Sequence, residues 1–387
     1  MLFLLTGCIG LNATAIPTQD IYADNGETKG GPSRVEFAVV GDVRPAIPGE
    51  EARGRVATPA TSAAVAKDIS AAVQADDASF VVLLGNLVAT SSTAEWKGFA
   101  RGWSQVISGS ELPEAGVQRV RVVPVAGASD RAGDDRLVGF GAAFPGVGAD
   151  IGYNRVASWY TFDVTAGKAT WRMLILDSAK DTLGSRWDEQ MAWIPKALEG
   201  DYDGLLVFMH NPLWTLAKGS TPDEGKAPSE LLEAVDQSTK IGSLKAVFSG
   251  NAHTNEVYLP GGRFGELYVN AGGGGAPADT VKRWGRVGQE DLKMEPIFDL
   301  ALVKEFDRWI EPRGIPEALQ EKAKASGSWS GFDAEIDAAA MPVQGWWSVA
   351  LVGDDMQLTF RMVGADGALK DLYTINFDSK EGWKAGK

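Results

Sequence analysis

The stretch that most restricts what this chain can fold into is Val39–Pro45, VVGDVRP: an apolar run that breaks at once into a glycine turn carrying Asp42 and Arg44. Four later stretches share that build: Leu83–Val88 (LLGNLV), Pro124–Asp130 (PVAGASD), Phe208–Pro212 (FMHNP) and Phe248–His253 (FSGNAH). Continuous apolar runs of this length are the mark of parallel strands buried on both faces. In open α/β sheets, ligands and reactive groups collect where such strands end. The chain is therefore expected to bring five short polar turns together along the carboxyl edges of its strands.

The segments between them support an α/β order. Val35–Val40, Ser79–Leu84 and Val117–Val125 read as strands. The amphipathic stretch Ala57–Ala75, with Val65, Ile69 and Val73 on one face, and Thr93–Ile107, with Thr93 as its cap, read as the crossover helices. Ser158–Ser178 reads as a hairpin around Ala166-Gly167-Lys168, and Ser185–Leu198 as a helix. Leu205–Met209 and Leu244–Phe248 read as buried strands flanking a helix at Pro228–Ser238. Val257–Leu259 and Glu266–Asn270 form a second hairpin around Gly261-Gly262, followed by the four glycines Gly272–Gly275. Residues 277–344 are charged, helical in pattern and broken by Pro296, Pro312 and Pro316; they read as an insertion packed on the core or serving as an interaction arm. Trp346–Val352, Met356–Val363 and Leu369–Phe377 then close the chain as a meander.

The N-terminus adds a different signal. The only cysteine is Cys8, so no disulfide forms within the chain, and Leu5-Thr6-Gly7-Cys8 resembles a bacterial lipobox. No Lys or Arg precedes Cys8, and the apolar run is shorter than the roughly 7–15 residues of a signal peptide core. Residues 9–33 are small and polar and read as a tether reaching about 25–30 Å. The resulting division is 1–8 lipobox, 9–33 tether, 34–276 main domain, 277–344 insertion and 345–387 final strands of the same domain. The net charge of −14 argues against nucleic acid as a partner.

The order and spacing of the five strand ends resemble the calcineurin-like metallophosphoesterases, in particular the purple acid phosphatase branch. Where that family has Asp-x-His, this chain has Asp42-Val43-Arg44. Its Gly-Asp becomes Gly85-Asn86, and its Gly-Asn-His-Asp/Glu becomes Gly127-Ala128-Ser129-Asp130. The strand-end His before Pro is His210-Asn211-Pro212, and Gly-His-x-His becomes Gly250-Asn251-Ala252-His253. The Ser158–Ser178 hairpin, Gln190-x-x-Trp193 and GGGGAP at Gly272–Pro277 also resemble the family. The resemblance implies an α/β, two-sheet sandwich with flanking helices and a C-terminal β meander. It also implies two metals that polarise a phosphate ester and supply the nucleophile.

Of the ligand positions the resemblance implies, Asp42, His210 and His253 are kept, while the others have become Arg44, Asn86, Ala128 and Asn251; the leaving-group histidine is Ser129. Asn86 is neutral where a bridging carboxylate belongs, and Arg44 places a permanent positive charge beside Asp42, so a guanidinium stands in for the first cation. The remaining donors are too few for a usual Zn²⁺, Fe or Mn²⁺ centre. The expectation is a catalytically silent phosphoesterase homologue, lipid-anchored through Cys8 in a bacterial envelope and binding other envelope proteins as a structural or adaptor component of an assembly, with no cofactor. Two alternatives stand beside it: a metal-free anion site formed by Arg44, Asn86, Ser129 and Asn251, and slow hydrolysis with a single Zn, Fe or Mn ion on Asp42, His210 and His253. Each residue also has a plainer reading: Asp42 and Asp130 as turn carboxylates, and the two histidines as satisfied buried imidazoles.

Overall fold

The computed structural model describes residues 33–44, 65, 67, 69, 78–103, 121–133, 137–144, 158–213, 215, 217, 225–259, 265–276, 338–341, 345–363 and 369–385. The expectations for Cys8, for the tether through residue 32 and for 277–337 fall outside these residues.

Two seven-stranded sheets face each other. In the first, β1 (Arg34–Val40), β2 (Phe80–Leu83) and β3 (Arg121–Pro124) run parallel. The C-terminal strands β11 (Gly345–Val352), β12 (Asp355–Val363), β13 (Leu369–Asp378) and β14 (Gly382–Ala385) extend that sheet as an antiparallel meander, with β11 paired to β1. The second sheet holds the hairpin β4 (Tyr160–Ala166) and β5 (Ala169–Ile175), then β6 (Gly204–Met209) and β7 (Leu244–Ser249). Next come β9 (Leu267–Ala271), β8 (Asn255–Tyr258) and β10 (Ala338–Met341) at the far edge. The fold is the expected α/β sandwich.

Period-two alternation explains the continuous apolar runs. Leu206 and Phe208 of β6 point into the core between the sheets, while Leu205, Val207 and Met209 point into a second core under the helices. Inside the sandwich, Phe37 stacks on Phe80 at 4.6 Å and Phe208 on Phe248 at 5.1 Å. The outer core is closed by α4 (Ser185–Ala197) and α5 (Lys226–Ser238), through Trp187, Ile194, Leu231, Leu232 and Val235. The short α3 (Lys180–Leu183) leads into α4. On the other flank, α1 (Thr93–Gly102) and α2 (Val138–Ala143) bury Trp96, Phe99 and Phe140 against one another. At the earlier crossover, positions 65, 67 and 69 are helical, with Val65 and Ile69 buried and Lys67 exposed.

Two details differ from the sequence expectation. The cap of α1 is Ser92, not Thr93; its side chain accepts from the Glu95 N–H at 3.3 Å. Both residue types cap well, and the hydrogen bond decides which one does. The strand expected over Val117–Val125 is present at Arg121–Pro124, and its expected start at 117–120 lies outside the described residues. Ala338–Met341, in the segment read as helical, forms strand β10 against β8. An alanine run has no strand preference of its own, so this pairing is set by its neighbour. Among the described residues, no helix is long and apolar enough to cross a membrane.

Candidate functional site

Parallel pairing places the ends of β1, β2 and β3 along one edge of the first sheet, and the ends of β5, β6, β7 and β9 along one edge of the second. The two edges are joined directly. The Gly41 N–H donates to Ala271 O at 2.6 Å, and His210 Nδ1 lies 2.7 Å from Leu84 O. Glycine makes this approach possible: a Cβ on Gly250 would lie 2.8 Å from Leu84 O, and one on Gly127 2.2 Å from Asn86 N.

Asp42 is at the centre. It is fully buried, and both carboxylate oxygens have protein donors: Oδ1 accepts from Asn86 Nδ2 at 2.8 Å and Oδ2 from the Asn251 N–H at 2.6 Å. Asn86 Oδ1 in turn accepts from the Ser129 N–H at 2.9 Å and lies 2.7 Å from Ser129 Oγ. A carboxylate only accepts and a backbone N–H only donates, so these partners fix the Asn86 amide with its NH₂ toward Asp42. His253 Nε2 lies 3.4 Å from Asp42 Oδ1 and 3.4 Å from Arg44 Nη2. His210, 1% exposed, has its Nδ1 at the Leu84 carbonyl and no partner for Nε2 among the described residues. Ala128 is exposed and Ser129 half-buried.

The backbone around the site is unusual. Five non-glycine residues among those described have positive φ, and four of them are Asp42, Asn86, Asn251 and His253. Asp, Asn and His are the non-glycine residues that enter this region most readily; such conformations still cost of order 1–3 kcal/mol and persist where the surroundings over-determine them.

Asp130 sits beside the pocket, not in it. Its Oδ1 accepts from the Leu87 N–H at 2.7 Å and the Val88 N–H at 3.1 Å, and Oδ2 from the Gly127 N–H at 2.9 Å, tying the turn after β2 to the turn after β3. Burial pushes its pKa above the ordinary carboxylate value, against the opposing pull of those N–H groups. The glycine run lies along the end of β1: Gly274 N–H donates to Gly41 O and Ala276 N–H to Asp42 O, both at 2.9 Å.

This donor set does not fit two divalent cations. The Asn86 oxygen faces away from Asp42, each Asp42 oxygen already accepts from a protein N–H, and a guanidinium stands at the imidazole that remains nearby. Among the described residues, no group of three or more His, Cys, Asp and Glu side chains is placed to hold a metal.

Two buried polar clusters were not singled out in the sequence. Glu256 on β8 accepts from Thr215, Thr254, Tyr258 and Asn270 at 2.6–2.9 Å, and burial raises its pKa. A lone Glu inside the apolar stretch NEVYL was the available signal. Arg131 is ion-paired with Asp177, whose backbone N–H and C=O are held by Gln190 at 2.8 and 2.9 Å.

Sandwich, strand-end turns and inter-sheet contacts together define a metallophosphoesterase-like fold. No family model matches the chain, and no curated protein matches it. Among solved structures, it is similar to a purple acid phosphatase from yellow lupin (Lupinus luteus) seeds, with 15% identity and a TM-score of 0.53 over 91% of this chain and 55% of that one. The chain thus spans about half of the lupin protein's length. It is also similar to GAP50, described as the anchor in the inner membrane complex of Plasmodium, with 12% identity and a TM-score of 0.50 over 92% and 90% of the two chains. PhoD has 10% identity and a TM-score of 0.50, over 92% of this chain and 73% of its own. At these identities the likeness is one of fold.

Proposed function

We propose that this protein is a catalytically silent member of the metallophosphoesterase-like fold, lipid-anchored through Cys8 in a bacterial envelope, working by binding as a component or adaptor of an envelope assembly. The observation that carries the silent site is the pairing of Asp42 with an amide. Its Oδ1 accepts from the Asn86 NH₂, which stands where the resemblance implies a bridging carboxylate, its Oδ2 accepts from the Asn251 N–H, and the Arg44 guanidinium lies 3.4 Å from His253 Nε2. The lipobox Leu5–Cys8 and the polar tether support the anchoring. The fold itself is compatible with such a role, since GAP50 shares it and is described as an anchor in a membrane complex.

The anion alternative has less support. The donors it needs from Asn86, Asn251 and Ser129 are directed at protein acceptors. The one-metal alternative rests on His210, whose Nε2 has no described partner.

The test is metal content together with hydrolysis of a generic phosphate ester in the presence of Mn²⁺, Fe or Zn²⁺. The expected result is well under one metal per chain and no turnover that His210→Ala removes. Metal-dependent turnover sensitive to His210→Ala would replace this reading with the one-metal enzyme. For the anchor, Cys8→Ser is expected to move the protein from the membrane to the soluble fraction; unchanged membrane association of that variant counts against lipidation.

A further inference from the structure

We propose that the hydrogen-bond run from Asn251 through Asp42 to Asn86 is a metal-free clamp between the two sheets, standing at positions where the resemblance implies metal ligands. The proposal rests on the site being silent, but its readout is stability rather than turnover, so the two fail separately. Asp42 Oδ1 is held from the first sheet by Asn86, at the end of β2, and Oδ2 from the second sheet by the Asn251 N–H, at the end of β7. Asn86 passes the connection on to Ser129, at the end of β3. One run of hydrogen bonds, Asn251–Asp42–Asn86–Ser129, therefore spans four strand ends.

The chemistry of the run is directional. Asp42 accepts twice, Asn86 donates once and accepts from Ser129, and each end is closed by a backbone N–H. Asp42, Asn86 and Asn251 all hold positive φ. Such conformations persist only where several contacts agree on them. A bridging carboxylate in place of Asn86 would face Asp42 at hydrogen-bond distance and need a cation between them; the amide supplies a proton there instead. The shape of the strand-end region then does not depend on metal supply, which suits a protein used for its surface.

The experiment is thermal unfolding of the purified full chain as wild type, Asn86→Asp, and the reversed pair Asp42→Asn/Asn86→Asp. The single variant puts two buried carboxylates in contact and is expected to lower Tm by about 5–10 °C. In the reversed pair, amide and carboxylate exchange places. The amide oxygen at position 42 still accepts from Asn251, its NH₂ meets the carboxylate at position 86, and that carboxylate still accepts from Ser129. The reversed pair is expected to recover more than half of the lost Tm. Saturating Mn²⁺, Zn²⁺ or EDTA is expected to leave the wild-type Tm within about 1 °C.

A reversed pair no more stable than Asn86→Asp overturns the clamp, as does a cation-induced rise of several degrees in the wild type. If Asn86→Asp yields no folded protein, a folded reversed pair supports the clamp and its equal failure overturns it.

Discussion

Arg131 and Asp177 form a buried ion pair that joins the turn after β3 in one sheet to the turn after β5 in the other. Their side chains are 4% and 0% exposed, and Gln190 of α4 fixes the Asp177 backbone from the second side. Removing one partner leaves a desolvated charge unpaired, which costs about 3–5 kcal/mol, whereas an apolar pair of similar volume removes both charges. Asp177→Ala is therefore expected to lose stability on that scale, and Arg131→Met/Asp177→Leu to lose clearly less. Urea unfolding midpoints compare them; a double variant as damaged as the single one shows that the pair is not what holds these turns.

The Asp130 clasp makes a pH-dependent prediction. Burial raises its carboxyl pKa above the ordinary value of 3.8, so the folded chain holds this proton more tightly than the unfolded one. The stability it contributes is fully present below the unfolded value and falls as pH rises through the folded value. The stability of wild type relative to Asp130→Asn is expected to decline as pH rises from about 4. Denaturant midpoints for both proteins across pH 4 to 7 give the sign. A difference that grows with pH means that the N–H groups of Gly127, Leu87 and Val88 outweigh burial.

Two glycines are expected to respond in opposite ways. A Cβ on Gly274 would lie 2.3 Å from the Gly41 carbonyl oxygen, in backbone that closes over Asp42. Gly274→Ala is expected to cost about 1–3 kcal/mol or more. Gly98 lies inside α1 with nothing within 4 Å of a built Cβ. Gly98→Ala removes unfolded-state freedom at no steric cost and is expected to stabilise by about 0.5–1 kcal/mol. Calorimetry on both variants decides; a neutral Gly274→Ala would show that the glycine run is free to shift.

Much of the scaffold was legible because it is local. The hairpin turn at Ala166-Gly167-Lys168 is seen with Gly167 at φ 62°, and the apolar runs ending in polar turns all lie on strands of the two sheets. What was not legible is set by distant partners. Which way the Asn86 amide faces is decided by Ser129, 43 residues on, and by Asp42, 44 residues back. The pairing of β11 with β1 brings Trp347 opposite Val39 across most of the chain, and no local pattern specifies it. Residue types at strand ends could be read from the sequence; the direction of their hydrogen bonds could not.

The strongest test of a silent site is to rebuild it. Arg44→His removes the guanidinium 3.4 Å from His253 Nε2, and Asn86→Asp sets a second carboxylate opposite Asp42. Ala128→Asn, Ser129→His and Asn251→His return the donors that the resemblance implies at the ends of β3 and β7. His210 and His253 already stand at the ends of β6 and β7, with the His210 ring held by Leu84 O. In this five-fold variant, the repulsion that burdens Asn86→Asp alone becomes ligation once a cation sits between the carboxylates. Its stability is therefore expected to rise with Mn²⁺ or Zn²⁺ where that of the wild type does not, and its metal content to approach about two per chain. Metal-dependent hydrolysis of a phosphate ester is expected in the rebuilt protein only, and to disappear again with His210→Ala. A wild type that already turns over the ester, and loses that activity with His210→Ala, would show that Asp42 is released from Asn86 during function and that the chemistry was never lost.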